Sequence, residues 1–368
     1  MKKEQFLEGL HNDKVLSESL IVRLKKENLP LVMWGCGDVG DAVCDYLEEN
    51  GIVLSCIWVD GSSGEKTYRG MPVVDLPVLT EKYEKFNVIL GHSCYEIAEN
   101  VCGKISQIQQ VFYAFSIHYQ QYDVVKYESI MKEADRFVQL CNLLADEASV
   151  NNLLAYLNTK MTGDVTYILN IFEQSMSFYR NDVFSVRDDE VFLDIGAYNG
   201  DTIRLFLQET HGKYKKIFAF EPDAVNFLAL SEYVAKERMR NVVTSLLGAW
   251  NKKEDLQFIS GKEQISSVYI ANDSNSTDVI TCYADRIDEI IREEVTFIKI
   301  NYYEGVLEAI QGCENILREY HPKLAIDVGF DIYNVLLLFE YLASLKLNYK
   351  FFLRFNHAMS STLTMYVI

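Results

Sequence analysis

Two short segments in the second half of the chain restrict its fold more than anything else in it. Val191 to Thr202 reads VFLDIGAYNGDT, and one helix later Ala219 to Asp223 reads AFEPD. The first is an apolar strand ending at Asp194, a small-residue turn through Gly196, Ala197 and Gly200, and a helix opening at Asp201 and Thr202. Glycines in such a turn let backbone come close to a ligand. The second closes the next strand with Glu221 and Pro222, where an acid is placed to accept hydrogen bonds from two ribose hydroxyls. The pair describes an α/β sheet that binds a nucleoside.

Dinucleotides and S-adenosylmethionine both use this geometry, and the turn discriminates between them. A pyrophosphate needs a helix N-terminus lined by glycine. Here Tyr198 and Asn199 precede Gly200 and Asp201 follows it, so the helix opens on a charge that repels a diphosphate. Asp194 and Asp201 suit a ligand with a cationic centre and an ammonium group, which S-adenosylmethionine carries. The competing account is that both acids only cap and bracket a helix.

From about Asp189 to the C-terminus the chain resembles the FkbM-type S-adenosylmethionine-dependent methyltransferases, which mostly methylate hydroxyls of sugars and natural products. The matching stretches are DEVFLDIGAYNGDT, AFEPD, LLGAWNKKEDLQF from Leu246, VTFIKI from Val295, HPKLAID from His321 and the closing YKFFLRFNHAMSSTLTMYVI. The resemblance covers about half the chain and implies an S-adenosyl-L-methionine cofactor, O-methyl transfer and a small-molecule or saccharide acceptor. In one place the pattern departs. The family's motif reads Lys, any residue, Asp, any residue, Glu, Gly, whereas Lys299 to Gly305 reads KINYYEG. Without a gap Asn301 replaces the Asp and Tyr303 the Glu; with one inserted residue Glu304 and Gly305 are recovered.

At 368 residues the chain exceeds the usual single-domain size, so two domains are expected. Its 35 basic and 53 acidic residues give a formal charge of -18, spread along the chain. That excludes nucleic acid and anionic membranes as partners, since both need basic patches. The cysteines at 36, 44, 56, 94, 102, 141, 282 and 313 form no CxxC pair and no His-linked zinc spacing. No metal is expected, and the thiols read as reduced and packed in a cytoplasmic protein. The opening MKKEQFLEGLHNDK is too polar for a signal peptide, and no run of about eighteen apolar residues calls for membrane insertion.

The first third of the chain has its own alternation. An initial helical segment ends near Lys26, Asn28-Leu29-Pro30 breaks the pattern, and LVMWG begins a buried strand. GCGDVG then fits GxGxxG with Gly35, Gly37 and Gly40, Asp41 to Glu49 is helical, and VLSCIWVD closes a second strand at Asp60. A helix over Leu76 to Lys85, strand NVILG, a helix over Tyr95 to Ile105 and strand VFYA complete a parallel sheet. The glycines and Asp60 fall where a dinucleotide site would put them; alternatively the glycines only permit tight strand-to-helix packing and Asp60 starts the turn GSSGEKTYRG. That loop with GMPVV resembles nucleotide-sugar or CoA-type modules, which implies a second nucleotide site serving substrate recognition or homodimer contacts.

From Tyr127 to about Tyr179 apolar residues recur at helical spacing, among them Phe137, Cys141, Leu153, Leu157 and Ile168, and read as core stripes. Gly163 separates two of these helices. Beyond, strands at Val191, Ile217, Val242, Val295 and KLAID alternate with helices at Thr202, Ala224, Glu304 to Glu319 and Ile332 to Leu345. Short strands fill Leu256 to Ile259, Val268 to Ile270 and Val279 to Tyr283. YKFFLRF and TLTMYVI are joined without a crossover helix, so they should be antiparallel. The expected fold class is α/β with two Rossmann-like domains, 1–125 and 186–368, joined by a helical connector, 126–185; the second is a methyltransferase-type sheet with a reversed last strand.

Ligands of open α/β sheets lie beyond the carboxyl ends of the strands. This assigns Asp194, Gly196 and Asp201 to the methionine portion of the cofactor, Glu221 to its ribose, and the backbone of Gly248 and Ala249 to the adenine edge, with Ala197, Tyr198, Gly200, Thr202 and Pro222 as further cofactor-binding residues. Trp250 either stacks on adenine or packs in the core. Lys299 and Asn301 are placed near the transferring methyl; Lys299 orients the acceptor or acts as base, or forms only a surface salt bridge. His357 faces the acceptor or is simply solvated. Three functions stay open: a methyltransferase, a cofactor- or nucleotide-sugar-binding protein without methyl transfer, and a nicotinamide-dependent oxidoreductase working through Gly35 to Gly40 and Asp60.

Overall fold

The computed structural model describes residues 1–11, 20–61, 66–92, 95–113, 125–162, 165–172, 178–259, 267–268, 279–301, 305–328, 331–356 and 363–368. These form two units. One gathers the described residues within Met1–Asp135 and Asn152–Gln174, the other those within Arg136–Asn151, Ser175–Asn356 and Thr362–Ile368.

The first unit runs α1 (Lys3–Glu8), α2 (Leu20–Lys25), β1 (Leu31–Trp34), α3 (Asp38–Glu49), β2 (Cys56–Trp58), β3 (Lys66–Tyr68), β4 (Met71–Val74), α4 (Leu76–Lys82), β5 (Phe86–Leu90), α5 (Tyr95–Cys102) and β6 (Ile108–Phe112). The sheet order is β3-β4-β2-β1-β5-β6, parallel except for β3. Alternate strand residues serve opposite faces. Val32, Trp34, Trp58, Val88 and Leu90 pack with α4 and α5, and Leu31, Met33, Ile57 and Ile89 with α3. Strands covered on both sides read as continuous apolar runs, as LVMW and VIL do. The β3–β4 hairpin was not legible as two strands. Its loop is Arg69 and Gly70, both at positive φ (50° and 80°), the geometry that suits a two-residue hairpin.

Four helices follow: α6 (Tyr127–Lys132), α7 (Ala134–Leu143), α8 (Glu147–Thr162) and α9 (Thr166–Leu169). They do not make a third body, and the stretch expected as a connector is divided within α8. Beyond that division, Asn158 holds the end of α1 through the Gly9 carbonyl and the His11 amide, and Val165 joins the first unit's core. Before it, Arg136 grips Glu340 at 2.6 Å and Asp146 pairs with Arg354 at 2.6 Å in the second unit. Gly163 lies outside the described residues.

The second unit contains β7 (Val191–Ile195), α10 (Asp201–Glu209), β8 (Lys216–Glu221), α11 (Ala224–Lys236), β9 (Val242–Leu246), β10 (Gly248–Ala249), β11 (Glu254–Ile259), β12 (Ser267–Val268), β13 (Val279–Asp285), α12 (Ile287–Ile290), β14 (Phe297–Ile300), α13 (Val306–Gln311), α14 (Glu314–Tyr320), β15 (Lys323–Asp327), α15 (Ile332–Ser344), β16 (Phe351–Arg354) and β17 (Thr364–Val367). Its main sheet is ordered β16-β17-β15-β14-β7-β8-β9, and β17 runs antiparallel to both neighbours, the reversed last strand anticipated from the short loop. β10-β13-β11-β12 form a smaller sheet. The single helix expected over Glu304 to Glu319 is instead α13 and α14. The break falls at Gly312, whose carbonyl accepts the Asp288 amide (3.0 Å) rather than continuing the helical ladder.

Phe192 of β7 and Phe297 of β14 stack with ring centroids 5.0 Å apart, and Tyr179, Phe206 and Tyr366 complete an aromatic cluster. Two residues further along the same strand face stand Asp194 and Lys299, so the site rests on a rigid apolar base. Among the described residues no helix is long and apolar enough to cross a membrane, and no group of three metal-ligating side chains occurs.

Candidate functional site

In the second unit the chain fills β7, β8 and β9 in one direction and then crosses to β14 and β15 on the other side of β7. The carboxyl ends of β7 and β14 therefore flank the switch in strand order, where open α/β sheets take their ligands. Asp194 and Lys299 are register partners across these strands. Lys299 Nζ donates to Asp194 Oδ1 at 2.8 Å and to the Gly196 carbonyl at 2.8 Å, and Thr202 Oγ1 donates to Asp194 Oδ2 at 2.7 Å. The pair is 1% and 0% exposed, so it is neither a surface salt bridge nor a freely available base. Burial raises the Asp194 pKa, and the Lys299 charge and hydrogen bond oppose that rise. The two side chains fasten together β7, the following turn, the start of α10 and β14.

The turn itself is shaped by residues in the left-handed region: Gly196 at φ 75°, Tyr198 at 47° and Gly200 at 84°. A Cβ on Gly200 would lie 2.8 Å from the Tyr233 ring, so this glycine admits close packing of α10 on α11. Gly196 and Ala197 amides donate to the Phe220 carbonyl at 3.0 and 3.1 Å, which fixes the turn to the end of β8. The Arg204 guanidinium holds Asn199 and lies 4.1 Å from the Tyr233 ring centroid. Asp201 is the first residue of α10, and its carboxylate accepts the Thr202 amide at 2.8 Å.

Glu221 ends β8 in a buried position. The Tyr198 amide donates to its Oε2 at 2.8 Å and the Asp223 amide to its Oε1 at 3.0 Å. Burial pushes its pKa up to about 7 against the pull of those two amides. Each carboxylate oxygen keeps further acceptor capacity, so the group is aimed while able to receive two more donors. Pro222 is buried beside it, and Asp223, which sequence reasoning passed over, caps α11 through the Val225 and Asn226 amides. The N-cap Asp in FEPDA was the available signal.

After β9 the chain returns to this edge: the Leu247 amide donates to the Glu221 carbonyl at 3.1 Å. Gly248 and Ala249 are buried and pair with Ala284 and Asp285 of β13. Trp250 anchors its amide to the Asp285 carbonyl at 2.9 Å, and its ring lies against Gly305 at the head of α13, where a Cβ would overlap it. The ring is packed on this side, and the residue as a whole is half-buried. Asn301 is exposed at the end of β14, its amide on the Ile195 carbonyl at 3.2 Å. Tyr303, Glu304 and His357 lie outside the described residues.

In the first unit, Gly35 has φ 105° and Gly91 would place a Cβ 2.8 Å from the Gly35 carbonyl oxygen, so the turns after β1 and β5 meet backbone to backbone. Gly40 lies against the same carbonyl, while a Cβ on Gly37 would meet open space. Asp60 accepts the Trp58 indole N–H at 2.9 Å, and Trp58 stacks on Trp34 at 4.1 Å. Gly35, Gly40 and Asp60 thus all have packing or hydrogen-bonding tasks in their own sheet.

Residues 194–351 match the family described as the methyltransferase FkbM domain. The whole structure is similar to that of Methyltransferase FkbM from Methylobacillus flagellatus KT, at 20% identity and a TM-score of 0.72, covering 100% of this chain and 98% of that one. The two share a fold. Looser likenesses are an rRNA methylase from Streptococcus thermophilus (16% identity, 50% of this chain, 87% of that one, TM-score 0.32) and Aeropyrum pernix fibrillarin in complex with S-adenosyl-L-methionine (11%, 50%, 70%, 0.33). No curated protein matches the chain.

Proposed function

We propose that this protein is an S-adenosylmethionine-dependent methyltransferase acting on a hydroxyl oxygen of a saccharide or sugar-containing metabolite. The FkbM domain match over residues 194–351 supports the reaction class. The charge of the site supports the cofactor: Lys299 offsets Asp194, while Glu221 and Asp201 add acid at this edge, which favours a cation over a diphosphate. The observation that carries the proposal is Glu221, buried at a strand end with each oxygen oriented by a backbone amide.

When bound, S-adenosylmethionine supplies a methyl group on a positively charged sulfur. In this chain Glu221 would hold the ribose, Gly196 to Thr202 the methionine portion, and the Gly248–Ala249 backbone the adenine edge. Lys299 is committed to Asp194 and Gly196, so its task is to set the turn rather than to abstract a proton. Alignment of the acceptor and exclusion of water are then the chief contributions of the protein.

A second reading, a cofactor-binding protein without methyl transfer, is favoured by Lys299 being so committed and by the neutral amide Asn301 standing where the family motif carries an acid in ungapped alignment. Incubation with methyl-labelled S-adenosylmethionine and a panel of saccharides separates the two. Label appearing in a saccharide supports the proposal, saturable binding without transfer supports the second reading, and binding of NAD alone overturns both.

A further inference from the structure

Trp250 contacts α13 at both ends of that helix. Its ring edge lies on Gly305, the N-cap at φ 80°, and its carbonyl oxygen lies so close to Gly312, the C-cap, that a Cβ there would overlap it. The neighbouring Asn251 reinforces the contact, donating from Nδ2 to Gln311 Oε1 at 2.9 Å. Arg286 in turn holds the Asn251 carbonyl at 3.2 Å and pairs with Asp288 at 2.8 Å, and the Asp288 amide donates to Gly312. On its other side Trp250 is joined to β10, whose approach is tied to Glu221 through Leu247.

We infer that Trp250 is a positioning residue, which fixes α13 relative to the adenine edge of the cofactor site. Occupation of the strand edge at Gly248 and Ala249 is thereby felt at α13, without Trp250 itself stacking on the ligand. The bulky Trp250 ring against Gly305 transmits such a shift because the glycine has no side chain to rotate aside, and at Gly312 the contact is backbone against backbone. The inference rests on the cofactor assignment above.

Hydrogen exchange and calorimetry on the full chain with S-adenosylhomocysteine test it. In the wild type, ligand binding should add protection to the amides of Val306–Gln311. Trp250→Ala, compared at saturating ligand, should lose that added protection while the sheet strands keep theirs; a role in stability alone would loosen both. Trp250→Phe covers the case in which the alanine variant does not fold. The chain has three tryptophans, and Trp34 and Trp58 belong to the other unit, so a ligand-induced change in tryptophan emission should vanish in Trp250→Phe while binding heat remains. Protection or emission changes that persist without Trp250, or a wild type that binds with no response in α13, overturn the inference. A wild type that gives no heat fails at the cofactor assignment itself, and the inference falls with it.

Discussion

Lys299 Nζ sits 2.8 Å from Asp194 Oδ1, on adjacent parallel strands and out of contact with water. Removing one member of a buried pair strands the other charge, at about 3–5 kcal/mol, whereas replacing both by neutral groups is close to neutral. Asp194→Asn and Lys299→Met should each destabilise by about that amount in urea titrations, and the double variant should recover most of it. Additive losses would show that the pair is not coupled.

Glu221, with its pKa raised to about 7 from an ordinary 4.5, makes two opposite pH predictions. Ribose hydroxyls donate to the ionised carboxylate, so S-adenosylhomocysteine affinity should be full above about pH 7 and fall by up to about tenfold per unit below it. For folding, the native state holds this proton more tightly than the unfolded chain. Through this group alone, stability rises as the pH drops from about 7 toward 4.5. Glu221→Gln should flatten both dependences; calorimetry and denaturation at several pH values read them.

Gly200→Ala must place a Cβ 2.8 Å from the Tyr233 ring at φ 84°. A destabilisation of about 1–3 kcal/mol by thermal or urea unfolding is expected. Unchanged stability would mean that the packing of α10 on α11 is looser than described.

Asp60→Ala removes the acceptor of the Trp58 indole in the first unit, at a cost of about 1 kcal/mol. S-adenosylhomocysteine affinity should not change. Loss of binding equal to that of Glu221→Ala would show that the two glycine turns have been assigned to the wrong ligands.

The parts of this site written in short stretches were legible in the sequence. An apolar strand carrying Asp194 next to its last residue, a glycine turn and an acid at the end of the next strand announce themselves locally, and the short link before the last strand dictates its reversal. What was not legible depends on distant register. Lys299 reaches Asp194 across 105 residues, so its buried partner emerges only once β14 is laid beside β7. Trp250 meets Gly305 and Gly312 through tertiary packing, and the Asp288 amide that takes the Gly312 carbonyl breaks a pattern whose apolar spacing reads as one helix. The division of α8 between two units likewise follows from partners at Gly9 and Arg354 that periodicity does not reveal.

Calorimetric titration of the full chain with S-adenosylhomocysteine, run at two temperatures so that a vanishing enthalpy cannot hide binding, probes the ligand assignment most directly. Saturable one-site heat that Glu221→Ala removes, with none from NAD, is the predicted result. Silence toward S-adenosylhomocysteine at both temperatures, or heat that survives in Glu221→Ala, would contradict it.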